Sequence, residues 1–589
     1  MSSSHTRGRR GGGGADEVLP WVIVAVFGIC LVTFFGAWLG GTIGAAVSGA
    51  GWSPPEFALQ SMADLVNEGP SALWPDAPVG AVICGIVLFF VLGAALIVWV
   101  VLAVRRRLSK PKGLAGRRDL TTLLPKQAAE KARSLRPSLA KSGKLDPDDT
   151  GNLLGNLEPN GPELRSSYED VELHLMAPRS GKSTSIAAPR MLRARGAVLL
   201  TSNKADVYTV TKAERQRVGT VWTFDPQGIA HTPRTMWWDM LSEAATIEGS
   251  MRLAGHFVGA VNDDASKKDF WISAAQNTLT ALFHAANRGQ RQVTDLLGWL
   301  ADPADRTPID ILNDAGMQAL AAQLQGTIQG AVETRDGIFE TARQCVACLL
   351  DPRIAAWVTP DSQVAQFSPN RHVHSKDTLY LLSKDGGGSA AGVIAAMADS
   401  VMRAGAVAAE RMGGRLDPPM TAVLDEAANV CRISDLPDLY SHFGSRGINV
   451  VTLLQSYRQG SRVWGEAGMD ALWSAATIKL LGAGLDDADF VEKVSKLVGE
   501  HDVSTVSISR SKDGRSRSTS YRQERVMPVD RIRALPKGTA LLLATGIRPA
   551  MIRLRPWFQE PGAGHIQAAA KAETDAMTAR AARGVMEQL

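Results

Sequence analysis

Three short runs of residues carry types and spacings suited to chemistry on a phosphoanhydride. The first is MAPRSGKST, residues 176 to 184. Gly181, Lys182 and Ser183 supply the end of the phosphate-loop signature G-x-x-x-x-G-K-[ST], while Met176 stands where that signature asks for glycine. The apolar VELHL before it reads as a strand and the residues after Ser183 as a helix. Consecutive backbone N–H groups from Ser180 to Thr184, at a helix N-terminus, can surround phosphate oxygens, with Ala177, Pro178 and Arg179 completing the loop. In such a site Lys182 reaches the β- and γ-phosphates of ATP and Ser183 ligates Mg²⁺. A chance GKS tripeptide is the competing reading, and it needs neither the strand nor the helix.

The second run is MTAVLDEAANV, an apolar strand ending in Asp425 and Glu426. Asp425 is placed to hold Mg²⁺ through water and Glu426 to polarise the attacking water. A strand ending in a solvated acidic turn is the alternative. The third run, INVVTLL, ends at Gln455. In a parallel sheet the C-terminal strand ends line one crevice, which lets Gln455 sense a γ-phosphate; a plain polar strand end fits the residue equally well.

These runs sit in an α/β pattern, preceded by apolar segments of another kind. With 589 residues the chain exceeds a single core. Its 64 basic and 59 acidic residues nearly cancel, so net charge selects no partner and placement matters more. Five cysteines make no disulfide framework, and the Cys345-x-x-Cys348 pair lacks a second ligand pair at zinc spacing. Two apolar runs, about 20–42 and 79–103, each exceed the roughly 20 residues that cross a bilayer. Arg7, Arg9 and Arg10 precede the first, and Arg105, Arg106 and Arg107 follow the second. The intervening loop holds Glu56, Asp64, Glu68 and Asp76 and no Lys or Arg, so both termini are expected in the cytoplasm.

The expected organisation is a cytoplasmic tail (1–18), a transmembrane hairpin (19–104), a basic juxtamembrane linker (105–160), a nucleotide-binding domain in two pieces (161–235 and 365–558), an all-α insertion (236–364) and a C-terminal tail (559–589), helical or loose. Residues 105–141 hold twelve Lys or Arg against Asp119 and Glu130, a composition drawn to anionic lipid or simply solvated. Residues 503–526 alternate as a hairpin turning at Asp513-Gly514, with six basic residues that suit either DNA phosphates or water.

The stretches APRSGKS (177–183), SNKADVYTVTKAERQRVGTVWTFDPQG (202–228) and LDEAANVCRISDLPDLYSHFGSRGINVVTLLQSYRQ (424–459) resemble the TraG/TraD family of type IV coupling proteins. The resemblance implies a RecA-like P-loop motor with an all-α domain facing the cytoplasmic entrance. It implies an inner-membrane ATPase, multi-pass in the cell membrane with its bulk cytoplasmic. Such an ATPase brings relaxase-bound single-stranded DNA to a type IV secretion channel. It further implies a homo-hexamer with ATP between subunits, in which Arg446 of the GSRG run is a candidate arginine finger toward a neighbour's nucleotide. An FtsK-like double-stranded DNA motor, a protein-secretion motor, and a low-turnover nucleotide-switched receptor stand as alternatives.

Overall fold

The computed structural model describes residues 19–108, 113–262, 270–386, 388–511 and 514–586, in two units, 1–110 and 111–589. In the first unit, the helices Leu19–Ala45 and Val79–Leu108 form an antiparallel-sequence hairpin joined by the short helices Leu59–Asn67 and Pro70–Leu73. Small residues let the two backbones meet. Gly36, Gly40 and Gly44 recur every fourth position, and a Cβ on Gly85 would lie 2.3 Å from the Gly40 carbonyl oxygen. The outward side chains stay apolar, with Leu92, Ile97 and Trp99 all at least 60% exposed. Both helices are long and apolar enough to cross a membrane. A third such helix, Ala391–Arg411, is buried inside the second unit and is a core helix there.

In the second unit the strands are β1 Asn152–Leu157, β2 Glu163–Ser166, β3 Glu172–Leu175, β4 Val198–Ser202, β5 Val221–Phe224, β6 Met236–Trp238, β7 Ala365–Phe367, β8 Thr378–Leu382, β9 Met420–Leu424, β10 Ile448–Leu454, β11 Ile478–Leu481, β12 Glu500–Ser511, β13 Gly514–Arg525, β14 Thr539–Ala544 and β15 Ala550–Arg553. Eleven form one sheet in the order β2-β1-β15-β14-β11-β3-β10-β9-β4-β8-β5. From β11 to β5 every pairing is parallel; from β14 to β2 every pairing is antiparallel. The parallel strands are covered on both faces, which is why β4, β8, β9 and β10 are buried throughout and read as nearly unbroken apolar runs.

Between β6 and β7, which pair with each other, the described residues are helical, from Ile247–Val261 to Val332–Cys345. The residues expected as a linker up to 160 are instead structured from 113 onward. Helix Pro125–Leu135 packs near β2, buried Arg136 pairs with Asp417 at 3.0 Å, and β1 belongs to the sheet. The sheet-bearing unit therefore begins before residue 161. The C-terminal residues form a 24-residue helix, Ala563–Met586, lying along Asp206–Gln216.

The strand that launches the phosphate loop is fixed from beneath by a buried ionic cluster. The Glu172 carboxylate accepts from Asn152 Nδ2 (2.9 Å), Ser166 Oγ (2.8 Å) and Arg190 Nη2 (2.8 Å), and contacts His174 Nε2 (2.9 Å). Burial alone would raise its pKa, yet the Arg190 guanidinium and His174 hold it well below the carboxylate range. Arg190 lies on the helix that follows the loop, so the cluster ties that helix to β3 and β1. Removing one partner strands a buried charge: Arg190→Met should cost about 3–5 kcal/mol. A double Glu172→Met/Arg190→Met change should cost less than the two single changes summed, as read by urea titration of the detergent-solubilised chain.

Candidate functional site

The register of the parallel strands brings the three chemical runs to one edge. Leu175 of β3 lies beside Leu454 of β10, Thr452 of β10 beside Leu424 of β9, and Leu424 beside Thr201 of β4. The next residues along these strands are Met176, Gln455, Asp425 and Ser202, so the loop, the acid pair and the glutamine share one crevice at the strand ends.

Met176 resolves the departure from the loop signature. Its backbone is outside the left-handed region, so glycine is not required there. Its side chain is fully buried against Gly482, where a Cβ would come within 2.4 Å of the Met176 methyl. The left-handed positions fall later, at Arg179 (φ 60°) and Gly181 (φ 98°). Ser180 Oγ donates to the Ala177 carbonyl at 2.6 Å and closes the loop, while Pro178 and Arg179 are exposed. Ser183 opens the helix, and Thr184 Oγ1 donates to the Gly181 carbonyl at 3.2 Å.

Lys182 and Glu426 face each other at 3.4 Å, both nearly sealed from water. Glu426 adopts a left-handed backbone (φ 53°, ψ 41°), a costly conformation for a non-glycine residue, directly after the strand. Its other oxygen accepts from Gln455 Nε2 at 2.7 Å. Asp425 takes only a long contact from Ser202 Oγ, 3.4 Å to Oδ2, and its buried Oδ1 has no protein partner. An orphaned carboxylate oxygen facing the loop, with the Ser183 hydroxyl, is a donor set that fits Mg²⁺ held jointly with phosphate oxygens. No group of three or more His, Cys, Asp or Glu suited to a metal occurs among the described residues.

Sequence reasoning missed the outer layer of this site. Gln459 Oε1 accepts from the Gln455 N–H at 3.0 Å, and Gln459 Nε2 donates to Asn429 Oδ1 at 2.7 Å. The available signal was spacing, since Asn429 is three residues past Glu426 and Gln459 four past Gln455. Arg446 lies elsewhere, at the N-terminal end of β10, paired with Glu410 at 2.8 Å. A seven-residue strand separates it from Gln455, roughly 20 Å. Cys345 and Cys348 are buried in an apolar core that pushes their thiols up to about 11 and about 12. The basic stretch forms the hairpin β12–β13; Lys512 and Asp513 at its turn lie outside the described residues.

The sheet and its loop define a RecA-like P-loop fold. The family described as the TraM recognition site of TraD and TraG matches residues 419–537. The conjugative coupling protein TrwBdeltaN70, in its unbound monoclinic form, is 20% identical over 69% of this chain and 89% of its own, with a TM-score of 0.53. TrwB with the non-hydrolysable GTP analogue GDPNP is 18% identical over 73% of this chain and 92% of its own, at 0.51. TrwB with ADP and Mg²⁺ is 18% identical over 71% and 92%, at 0.50. No curated protein sequence matches the chain. Identities this low carry the fold alone, and the family match is confined to residues 419–537, the segment that contains the acid pair and Gln455.

The acid pair gives the crevice a pH signature. Burial, reinforced by Glu426 and opposed by Lys182, pushes the Asp425 carboxyl up to about 7 from its ordinary 3.8. The native state thus keeps a proton that the unfolded chain releases, and this group's favourable contribution is complete below pH 3.8 and lost as pH rises through about 7. Without nucleotide, the stability advantage of Asp425→Asn over the unaltered chain should be larger at pH 8 than at pH 5 by on the order of 1–3 kcal/mol. Denaturant titrations at the two pH values read that difference.

Proposed function

We propose that the chain is an inner-membrane ATPase of the coupling-protein kind, which recruits relaxase-bound single-stranded DNA to a type IV secretion channel and drives transfer by ATP hydrolysis. The observation that carries this reading is the carboxylate of Glu426, held between Lys182 and Gln455 at the mouth of a phosphate loop. A receptor that only switches with nucleotide has no need of a second carboxylate beside the magnesium acid.

ATP and Mg²⁺ bound here supply the phosphoanhydride and the charge that neutralises it. The loop N–H groups and Lys182 hold the phosphates, and Ser183 and Asp425 hold the metal. As Lys182 turns to phosphate, Glu426 is freed to orient water and take its proton, while Gln455 keeps Glu426 aimed. Arg446 is too far along its own strand to serve the same chain's nucleotide, so its finger role requires a neighbouring subunit and a ring, for which we propose a homo-hexamer. The two apolar helices support multi-pass anchoring with the motor in the cytoplasm. The match of residues 419–537 to a TraM recognition site supports docking of conjugation partners on the motor's C-terminal part.

In lipid nanodiscs the full chain should hydrolyse ATP faster with single-stranded DNA than without. Lys182→Ala should abolish the activity, and Glu426→Gln should lower kcat on the order of 100-fold while ATP still binds. Stimulation by double-stranded DNA alone would move the reading to an FtsK-like motor, and ATP binding with no turnover under any DNA condition would leave a nucleotide-switched receptor.

A further inference from the structure

One cleft behind the helix that follows the phosphate loop plays no part in the chemistry described so far. It lies between the helix Asp206–Gln216 and the C-terminal helix Ala563–Met586, with a volume of about 730 Å³. Thr209 and Val210 line one wall, Gln567 and Lys571 the other, and Asp206 and Trp557 complete it. That volume falls within the roughly 300–1,000 Å³ of small-molecule sites.

Two contacts join this cleft to the loop. The turn Trp557–Gln559 lies against Ser183–Ala187, the first helical turn after the loop, and the helix Asp206–Gln216 lies against the same turn. Asp206, at that helix's N-terminus, is near enough to Asp425 to act on its charge. The inner wall and the Trp557–Gln559 turn therefore adjoin the first helical turn after the loop. Two aromatic rings stand at this junction: Trp557 meets Phe558 edge-on (ring centroids 5.8 Å apart), and Phe558 is 52% exposed. The outer wall is firmly attached. Glu573 pairs with Lys212 at 2.9 Å and with Arg580 at 2.8 Å, and Arg580 also donates to the His231 carbonyl at 2.9 Å.

We propose that the Trp557–Phe558 turn and this cleft receive the base and ribose of the nucleoside triphosphate whose phosphates sit on the loop, Trp557 being the stacking surface. The assignment rests on the phosphate-loop reading above. A π-face offers no hydrogen-bond code, so the subsite accepts any purine. It also gives the C-terminal helix a task, since the helix forms the far wall of the nucleotide's own pocket.

The test is calorimetric titration of the full chain in detergent with Mg²⁺ and either ATP, GTP or inorganic tripolyphosphate, which has phosphates but no base. Trp557→Ala should weaken ATP and GTP alike by roughly 5- to 150-fold, the range that stacking of one base spans, and leave tripolyphosphate unchanged. Trp557→Phe should restore most of the loss. Unchanged ATP affinity in Trp557→Ala overturns the assignment, as does an equal loss of ATP and tripolyphosphate, which makes Trp557 a support for the loop's helix. If the unaltered chain binds neither ATP nor tripolyphosphate, the phosphate-loop reading itself falls and the subsite with it; ATP binding that Lys182→Ala abolishes but Trp557→Ala spares removes the subsite alone.

Discussion

A lysine ammonium and a glutamate carboxylate, almost closed off from water and 3.4 Å apart, hold the strand ends of this sheet together. Lys182 comes from the loop after β3 and Glu426 from the turn after β9, with β10 between them supplying Gln455 to the same carboxylate. Charges so buried need a partner, because each alone carries a desolvation cost of several kcal/mol. Under the function proposed above, the pair is a placeholder for ATP: Lys182 is neutralised by Glu426 until a phosphate takes over, and the carboxylate proposed to activate water is occupied until then. Everything else about the sheet serves to bring these three strand ends level.

The acid turn also leads away from the site. Past Glu426 the chain runs through the short helix Ala427–Val430 to Asp435, which pairs with Arg403 of the core helix Ala391–Arg411. Arg403 in turn bonds Asp399 at 2.8 Å, and Asp399 meets His256 Nε2 at 3.2 Å, on the first helix of the all-α insertion. Burial would push the Asp399 carboxyl up, but His256 and Arg403 hold it below its ordinary value. A chain of polar contacts therefore connects Asp435, nine residues past Glu426, with the helical insertion.

The candidate site is legible in the sequence because it is local. A loop, an acid pair and a strand-end glutamine each occupy a few consecutive residues, and strand order aside, a parallel sheet puts such ends together. The apolar helical hairpin is legible for the same reason, although its Gly36, Gly40 and Gly44 stripe becomes meaningful only once Gly85 is seen against it. What the sequence hides is long-range. Met176 looks like a flaw until Gly482, three hundred residues on, leaves the space that it fills. Asn152 sits in a Gly- and Asn-rich stretch that reads as a linker, and only its strand's pairing with β2 and with β15, about four hundred residues on, places β1 in the sheet. The Ala-rich end reads as helix or loose tail, since its anchors, Lys212 and the carbonyl of His231, lie far back along the chain.

The most direct test of the account is a structure of the full chain with a non-hydrolysable ATP analogue and Mg²⁺. The account predicts that Lys182 Nζ leaves Glu426 for the phosphates, that Ser183 and Asp425 flank the metal, and that Gln455 still holds Glu426 toward the terminal phosphate. An analogue bound elsewhere, with the Lys182–Glu426 pair intact at its present separation, would contradict it.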